Sequence, residues 1–282
     1  MRMGSPGLLL IMTLLAGCSR AVPLAIQHVS AARAAAAYAA HWRFLGSGMS
    51  GPNGLAMDPR GTLYESDYYR GTVTRVSPSG AVSTYAAGFS GPAGLAFDAR
   101  GNLLVANYEN NHLDRIPPGG GKFAMLANAG LQNPVWPAVD HEGRILVADY
   151  RHNRLALVDS RGNVSPYLSL PGVNAIAVDS SNRLWVTTWG GTVYRIVNKV
   201  PVAIAHGLYS ACAIAWSPHY LAVGTYGDEH KANASVVLLN FRGQAYPVAK
   251  GLSRTSSVLF DANFNLYAAN IGDTALRKYS LK

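Results

Sequence analysis

Oxygen-bearing side chains that can bind a metal ion or a hydroxyl-rich ligand recur at one position in six copies of a sequence pattern. Each follows a short apolar segment: Asp67, Asn107, Asp149, Thr188, Thr225 and Asn270. Carboxylate and amide oxygens are ligands that Ca²⁺ and Mg²⁺ accept. The candidate ligands of a divalent cation are therefore Asp67, Asn107, Asp149 and Asn270. The alternative is structural, because Asx side chains also hydrogen-bond to the backbone of nearby turns.

The next residue in each copy is aromatic in five of six cases: Tyr68, Tyr108, Tyr150, Trp189, Tyr226 and, as the exception, Ile271. If these side chains point out of one end of the fold, they form an aromatic collar that can stack on sugar faces or bind a peptide. If they point sideways, they pack between the copies. The sequence leaves both alternatives open, and the five aromatic residues are the candidate ligand-binding residues.

A third set of equivalent residues is small or amidic: Asn53, Ala93, Val135, Asn174, Cys212 and Ser256. It contains no carboxylate, so this set alone is a poor site for a hard cation. Cys212 stands in a run of small residues and is expected to be a buried, unreactive side chain. None of the eight histidines aligns with these sets, and His152 and His230 reach them only if their loops fold inward.

Several other chemistries lack their sequence signals. We find no nucleophile elbow, no zinc-ligand spacing and no phosphate-binding loop. The formal net charge of +9 is spread singly along the chain. That distribution fits weak attraction to anionic surfaces and predicts no nucleic-acid partner, since such proteins carry a clustered basic stripe. A monomer is expected.

The elements that position these residues follow from an internal repeat. Ser50–Asp58 and Ser90–Asp98 match almost letter for letter, and the register continues at Asp140, Asp179, Ser217 and Asp261. Each copy has about 40 residues and holds four strand-like segments joined by tight turns. Four short antiparallel strands per repeat are typical of propeller blades. The sequence therefore predicts an all-β, six-bladed β-propeller over residues 41–282, with the cation site in its central channel.

The last copy ends after its third strand and lacks a fourth. The segment Trp42–Gly46 precedes the first Gly-Pro pair as the fourth strand of the first copy precedes the second pair. We expect this N-terminal strand to close the last blade, which removes an open sheet edge.

The repeats resemble NHL repeats, on Gly51-Pro52-Asn53-Gly54-Leu55-Ala56 and Leu146-Val147-Ala148-Asp149. They also resemble a wider six-bladed group with gluconolactonase-type hydrolases and virginiamycin B lyase. This resemblance implies the fold, and it implies metal-assisted hydrolysis or elimination as one activity. In gluconolactonase-like enzymes an acidic residue and Asn and Asp partners hold a divalent cation near the level of Asn53. Here Ser50 precedes the Gly-Pro pair where those enzymes have Glu.

The N-terminus has the pattern of an export signal. Arg2 precedes the apolar run Leu8–Leu15, which is too short to span a bilayer and has the shape of a secretory signal. Leu15-Ala16-Gly17-Cys18 resembles the bacterial lipobox. We expect a signal peptide at 1–17, acylation such as palmitoylation at Cys18, and a flexible tether over 18–40. The expected protein is an envelope lipoprotein, anchored to a membrane, that binds a glycan, peptide or protein partner. The alternative is a metal-assisted hydrolase or lyase.

Overall fold

The computed structural model describes residues 42–46, 49–77, 79–227 and 233–281. These residues form twenty-four strands joined by turns, and no helix occurs among them. The predicted signal peptide (1–17), Cys18 and the tether (18–40) lie outside them, as does His230. In this described part, no helix is long and apolar enough to cross a membrane.

The strands form six four-stranded antiparallel sheets, the blades. Blade 1 contains β2 (Pro52–Met57), β3 (Leu63–Asp67), β4 (Thr72–Val76) and β5 (Val82–Ala87). Blade 2 contains β6 (Pro92–Phe97), β7 (Leu103–Asn107), β8 (His112–Ile116) and β9 (Ala124–Ala127). Blade 3 contains β10 (Pro134–Val139), β11 (Ile145–Asp149), β12 (Arg154–Val158) and β13 (Val164–Ser169).

The second half of the chain repeats this arrangement. Blade 4 contains β14 (Val173–Val178), β15 (Leu184–Thr188), β16 (Val193–Val197) and β17 (Val200–Ala205). Blade 5 contains β18 (Ala211–Trp216), β19 (Leu221–Thr225), β20 (Ala234–Leu239) and β21 (Ala245–Leu252). Blade 6 contains β22 (Thr255–Phe260), β23 (Leu266–Asn270), β24 (Ala275–Tyr279) and β1 (Trp42–Gly46).

Blade 6 is closed by the N-terminal strand, as the sequence predicts. β1 pairs antiparallel with β24, with Trp42 opposite Tyr279 and Arg43 opposite Lys278. The outer edge of the last sheet is therefore occupied by a strand from the other end of the chain. The six-bladed, all-β propeller and its closure are both confirmed.

The turn between the first and second strands uses an Asp in the predicted way. In blade 1 the amide of Gly61 donates to the carbonyl of Asp58 at 2.9 Å. The Asp58 carboxylate accepts the amides of Arg60 and Thr62, both at 2.9 Å. The same pattern recurs in four of the other five blades, at Asp98, Asp140, Asp179 and Asp261, whereas blade 5 has Ser217. The side chain thus satisfies the amides of its own tight turn, which is why Asp recurs there.

The first strands crowd the propeller axis, and small residues permit the crowding. A Cβ atom on Gly54 would lie 2.2 Å from the carbonyl oxygen of Ala93 in the next blade. The second strands are buried along their whole length, with Leu103 and Leu104 fully buried. Apolar second strands packed between neighbouring blades form the core and hold the ends of the inner strands in fixed positions.

Candidate functional site

A pocket of about 520 Å³ opens at the end of the propeller where the first strands begin and the second strands end. It is lined by two rings of equivalent residues. The deeper ring is the set of small and amidic residues: Asn53, Ala93, Val135, Asn174, Cys212 and Ser256. The outer ring is the predicted collar: Tyr68, Tyr108, Tyr150, Trp189, Tyr226 and Ile271. Three further residues line the pocket: Tyr69, Trp136 and Arg254.

The collar side chains face the pocket, although neighbouring members also touch. Tyr68 and Tyr108 have ring centroids 6.3 Å apart, and those of Trp189 and Tyr226 are 5.4 Å apart. The Trp189 residue is 40% exposed, so it offers an open aromatic surface to a ligand. The collar residues therefore do both things that the sequence left open: neighbouring rings contact each other across blades, and all of them line the pocket.

Three collar tyrosines, Tyr68, Tyr108 and Tyr226, have hydroxyls that are harder to ionise than that of an ordinary tyrosine. Burial, the largest cause, raises the pKa of Tyr68, Tyr108 and Tyr226. The hydroxyl of Tyr68 also donates to the Glu109 carboxylate on the rim, which raises its pKa further. Neutral phenols in this position are both hydrogen-bond donors and apolar surfaces.

Asp67 and Asn107 hold backbone groups within their own blades. The Asp67 carboxylate accepts the amides of Ser50 at 2.7 Å and Gly51 at 2.9 Å. The Asn107 side chain accepts the amide of Ser90 at 2.8 Å and donates to Asp114 at 2.7 Å. Both candidate ligands are buried and neither lines the pocket.

Asp149 and Asn270 are placed in the same way. The Asp149 carboxylate accepts the amide of Gln132 and lies 2.8 Å from both Nδ1 of His152 and Nε of Arg154. Asn270 accepts the hydroxyl of Thr255 at 2.7 Å. In all four predicted metal ligands a side-chain oxygen is engaged by a group of its own blade, and none of the four lines the pocket.

The described lining residues do not fit a divalent cation. No three His, Cys, Asp or Glu side chains lie together in the described ranges in a way that could hold a metal ion. The deeper ring offers the amides of Asn53 and Asn174 and the hydroxyl of Ser256, without negative charge. Cys212 is buried, as predicted, and its thiol donates to the carbonyl of Thr255 at 2.9 Å. Burial raises the pKa of that thiol, so the metal-binding thiolate is disfavoured.

Sequence reasoning missed Tyr69 and Arg254. Tyr69 directly follows the blade 1 collar residue and is 60% exposed. Its ring centroid is 5.5 Å from that of Tyr68, and it adds a further aromatic side chain to the lining of the pocket. Arg254 stands two residues before the deeper-ring Ser256. The repeat alignment would have revealed it, since the equivalent residues of the other blades are all uncharged.

Comparisons with known proteins agree with this architecture. The NHL repeat family matches residues 89–113, and no relative matches among the curated proteins. A gluconolactonase from Xanthomonas campestris is 16% identical, with a TM-score of 0.73 over 84% of this chain and 88% of that chain. Virginiamycin B lyase from Staphylococcus aureus is 14% identical, with a TM-score of 0.63 over 85% of this chain and 87% of that chain.

A third similar structure is the PQQ-bound aldose sugar dehydrogenase from Streptomyces coelicolor. It is 15% identical, with a TM-score of 0.69 over 84% of this chain and 96% of that chain. At such identities the likeness shows the fold alone, because one fold carries many activities. The chain is thus a six-bladed β-propeller that carries an NHL repeat. It is structurally similar to propellers of the gluconolactonase and virginiamycin B lyase group.

Proposed function

We propose that this protein is a binding module that holds a small ring-containing ligand, such as a sugar unit of a glycan, in the pocket at the mouth of its propeller. The observation that carries the proposal is the lining. Aromatic side chains of five blades surround about 520 Å³ of space. The polar groups among the described lining residues are neutral, apart from Arg254.

Aromatic faces and fixed polar groups together suit a sugar ring. The apolar face of a sugar stacks on Trp or Tyr, while its hydroxyls hydrogen-bond to groups such as the amides of Asn53 and Asn174. Pockets of this size bury most of a small ligand. Two similar propellers are named for sugars or sugar lactones, which is compatible with such a ligand here.

The test is a titration of the purified protein with 4-nitrophenyl glucoside and with a muropeptide, read by calorimetry and by Trp fluorescence. The double variant Tyr108→Ala with Trp189→Ala should weaken binding about tenfold or more, since each removes a stacking surface. Tyr209→Ala is the matched control, because Tyr209 is 67% exposed and does not line the pocket. Equal binding by the wild type and the double variant contradicts the proposal.

The second candidate is a metal-assisted hydrolase or lyase, and the similar gluconolactonase and lyase folds support it. The described lining residues include none of the carboxylates that a site for a divalent cation needs. Metal analysis of the purified protein, with melting curves in Ca²⁺, Mg²⁺ and Zn²⁺, separates the two functions. Bound metal or a saturable upward shift of the melting temperature favours the enzyme.

We propose, from the sequence, that the propeller is displayed on the cell envelope by acyl chains on Cys18. Each buried CH₂ of an acyl chain contributes about 0.8 kcal/mol, so several chains anchor a protein stably. Cys18→Ser should release the protein from the membrane fraction and remove the lipid mass. Unchanged fractionation and mass would refute the anchor.

A further inference from the structure

Arg254 is the one charged side chain among the described residues that line the pocket. It follows β21 and lies directly before β22, the first strand of blade 6. No described Asp or Glu lies within ion-pair distance of its guanidinium. Its Nε atom is buried and has no hydrogen-bond partner in the described part of the chain. A guanidinium that lines a pocket without a carboxylate beside it is best satisfied by an oxyanion.

The backbone at Arg254 shows that the fold does not require a long side chain at this position. The residue that directly precedes the first strand is small in the other five blades: Gly51, Gly91, Asn133, Gly172 and Ser210. Its φ angle is positive in five blades: +60° at Gly91, +48° at Asn133, +68° at Gly172, +52° at Ser210 and +52° at Arg254. Gly and Asn adopt this left-handed conformation readily, whereas a long side chain does so at a cost. The left-handed conformation therefore belongs to the entry into the blade, and the arginine side chain is an addition that this entry does not require.

The guanidinium lies beside the open aromatic surface of the collar. The Arg254 guanidinium lies against Tyr226: its charge, and a hydrogen bond that it donates to the Tyr226 hydroxyl, oppose the rise in the pKa of Tyr226 that burial causes. The ring centroid of Tyr226 is 5.4 Å from that of Trp189. A positive charge and two aromatic faces therefore occupy the same side of the pocket.

We propose that the pocket selects an anionic ring compound, whose carboxylate or phosphate pairs with Arg254 while its ring stacks on Trp189 and Tyr226. This inference rests on the proposed binding function and names the class of ligand. The planar guanidinium matches both oxyanions through paired N–H donors. Of the rim side chains, Glu109 accepts the Tyr68 hydroxyl, and the charge of Arg151 opposes the rise that burial causes in the pKa of Tyr108.

The test compares two probes that differ at one carbon, which is a carboxylate in one and a CH₂OH group in the other. Both 4-nitrophenyl glucuronide and 4-nitrophenyl glucoside carry the same two rings, but only the glucuronide has a carboxylate. Calorimetric titration of the wild type should show on the order of tenfold tighter binding of the glucuronide. Raising NaCl from about 20 to about 500 mM should reduce that preference. Glucose 6-phosphate against glucose repeats the comparison for a phosphate.

Variants at one position separate charge from shape. Arg254→Gln keeps a side chain in the same backbone conformation and should bind the two nitrophenyl probes equally. Arg254→Lys should retain part of the preference, because the charge remains but the paired donors are lost. Arg100→Gln is the matched control, since it removes an exposed positive charge from a turn at the opposite end of the propeller. It should bind both probes as the wild type does.

The outcomes are distinct. Equal affinity of the wild type for charged and neutral probes overturns the inference but leaves the binding pocket in place. A preference for the glucuronide that persists in Arg254→Gln also overturns it. Absence of binding by all of the probes overturns the proposed function and this inference together.

Discussion

Glu65 provides the sharpest test of the physical argument, because it is a carboxylic acid at a position where the other blades are apolar. The equivalent residues in the middle of the second strand are Val105, Val147, Val186, Val223 and Ala268. The Glu65 side chain is fully buried, and its Oε1 atom has no hydrogen-bond partner among the described residues. Its Oε2 atom accepts the hydroxyl of Thr74 at 2.7 Å.

Burial raises the pKa of Glu65 from an ordinary 4.5 to about 8, and the hydrogen bond from Thr74 opposes that rise without cancelling it. The folded state therefore favours the protonated acid. Its contribution to stability is fully present below pH 4.5 and is lost as the pH rises through about 8. Because the pKa is 4.5 in the unfolded chain and about 8 in the folded protein, the free energy of unfolding falls by about 5 kcal/mol at most as the pH rises across this range. The fall is near 1.4 kcal/mol per pH unit between the two pKa values.

The variant Glu65→Gln keeps the shape and cannot ionise. We expect the wild type to lose stability relative to Glu65→Gln between pH 5 and pH 9, by several kcal/mol in total. Urea unfolding at one-unit pH intervals measures this, and the slope of the free energy against urea should stay constant for each protein. Glu142→Gln, which changes an exposed glutamate in a turn, should show no such trend. A stability difference between the wild type and Glu65→Gln that does not vary with pH would refute the assignment.

Three further predictions concern the fold. Deletion of residues 42–46 should lower the melting temperature by about 10 °C or more, because β24 then becomes an unpaired edge; an unchanged melting curve would disprove closure by β1. Gly143→Ala should cost about 1 kcal/mol, since φ is +76° in open space. Gly162→Ala should cost about 2 kcal/mol more in the same urea assay, because its Cβ atom would lie 1.8 Å from the Leu126 carbonyl; equal costs would contradict the close contact. Burial would raise the pKa of Asp179, but hydrogen bonds from its turn lower it overall. Its stabilisation is present above its unfolded pKa and is lost as the pH falls through its lower folded pKa. Asp179→Asn should therefore be about 1 kcal/mol less stable at pH 7, and this difference should shrink as acid protonates Asp179 in the wild type.

The fold could be predicted from the sequence because each repeat contains the residue types that its turns and close backbone contacts require. Asp58 at the start of a tight turn and Gly54 at a close approach between blades are local requirements that recur in copy after copy. The closing strand followed from the missing fourth strand of the last copy. Such features depend on backbone geometry, which a repeating pattern of turn residues determines well.

The candidate site could be predicted only in part. The alignment of the repeats placed Tyr108 and Trp189 in one ring, because equivalent positions surround the axis. It could not decide whether Asp67 points to the channel or to the amides of Ser50 and Gly51, since both uses need the same residue type. Arg254 was missed because the candidate sites were rings in which several repeats share a residue type, whereas Arg254 differs from the equivalent residue of every other repeat.

The polar residues at the ends of the second strands and the residues that line the pocket have different roles. The carboxylates and amides at the ends of the second strands are engaged by backbone amides or neighbouring side chains, so they build the blades and are withdrawn from chemistry at the channel. Selectivity must then come from side chains that the fold does not require. Arg254 is such a residue, because Gly, Asn or Ser serves the same backbone position in the other blades. Arg254 carries the one charge on the described lining of the pocket, so an anionic ligand gives this residue a role that the fold does not.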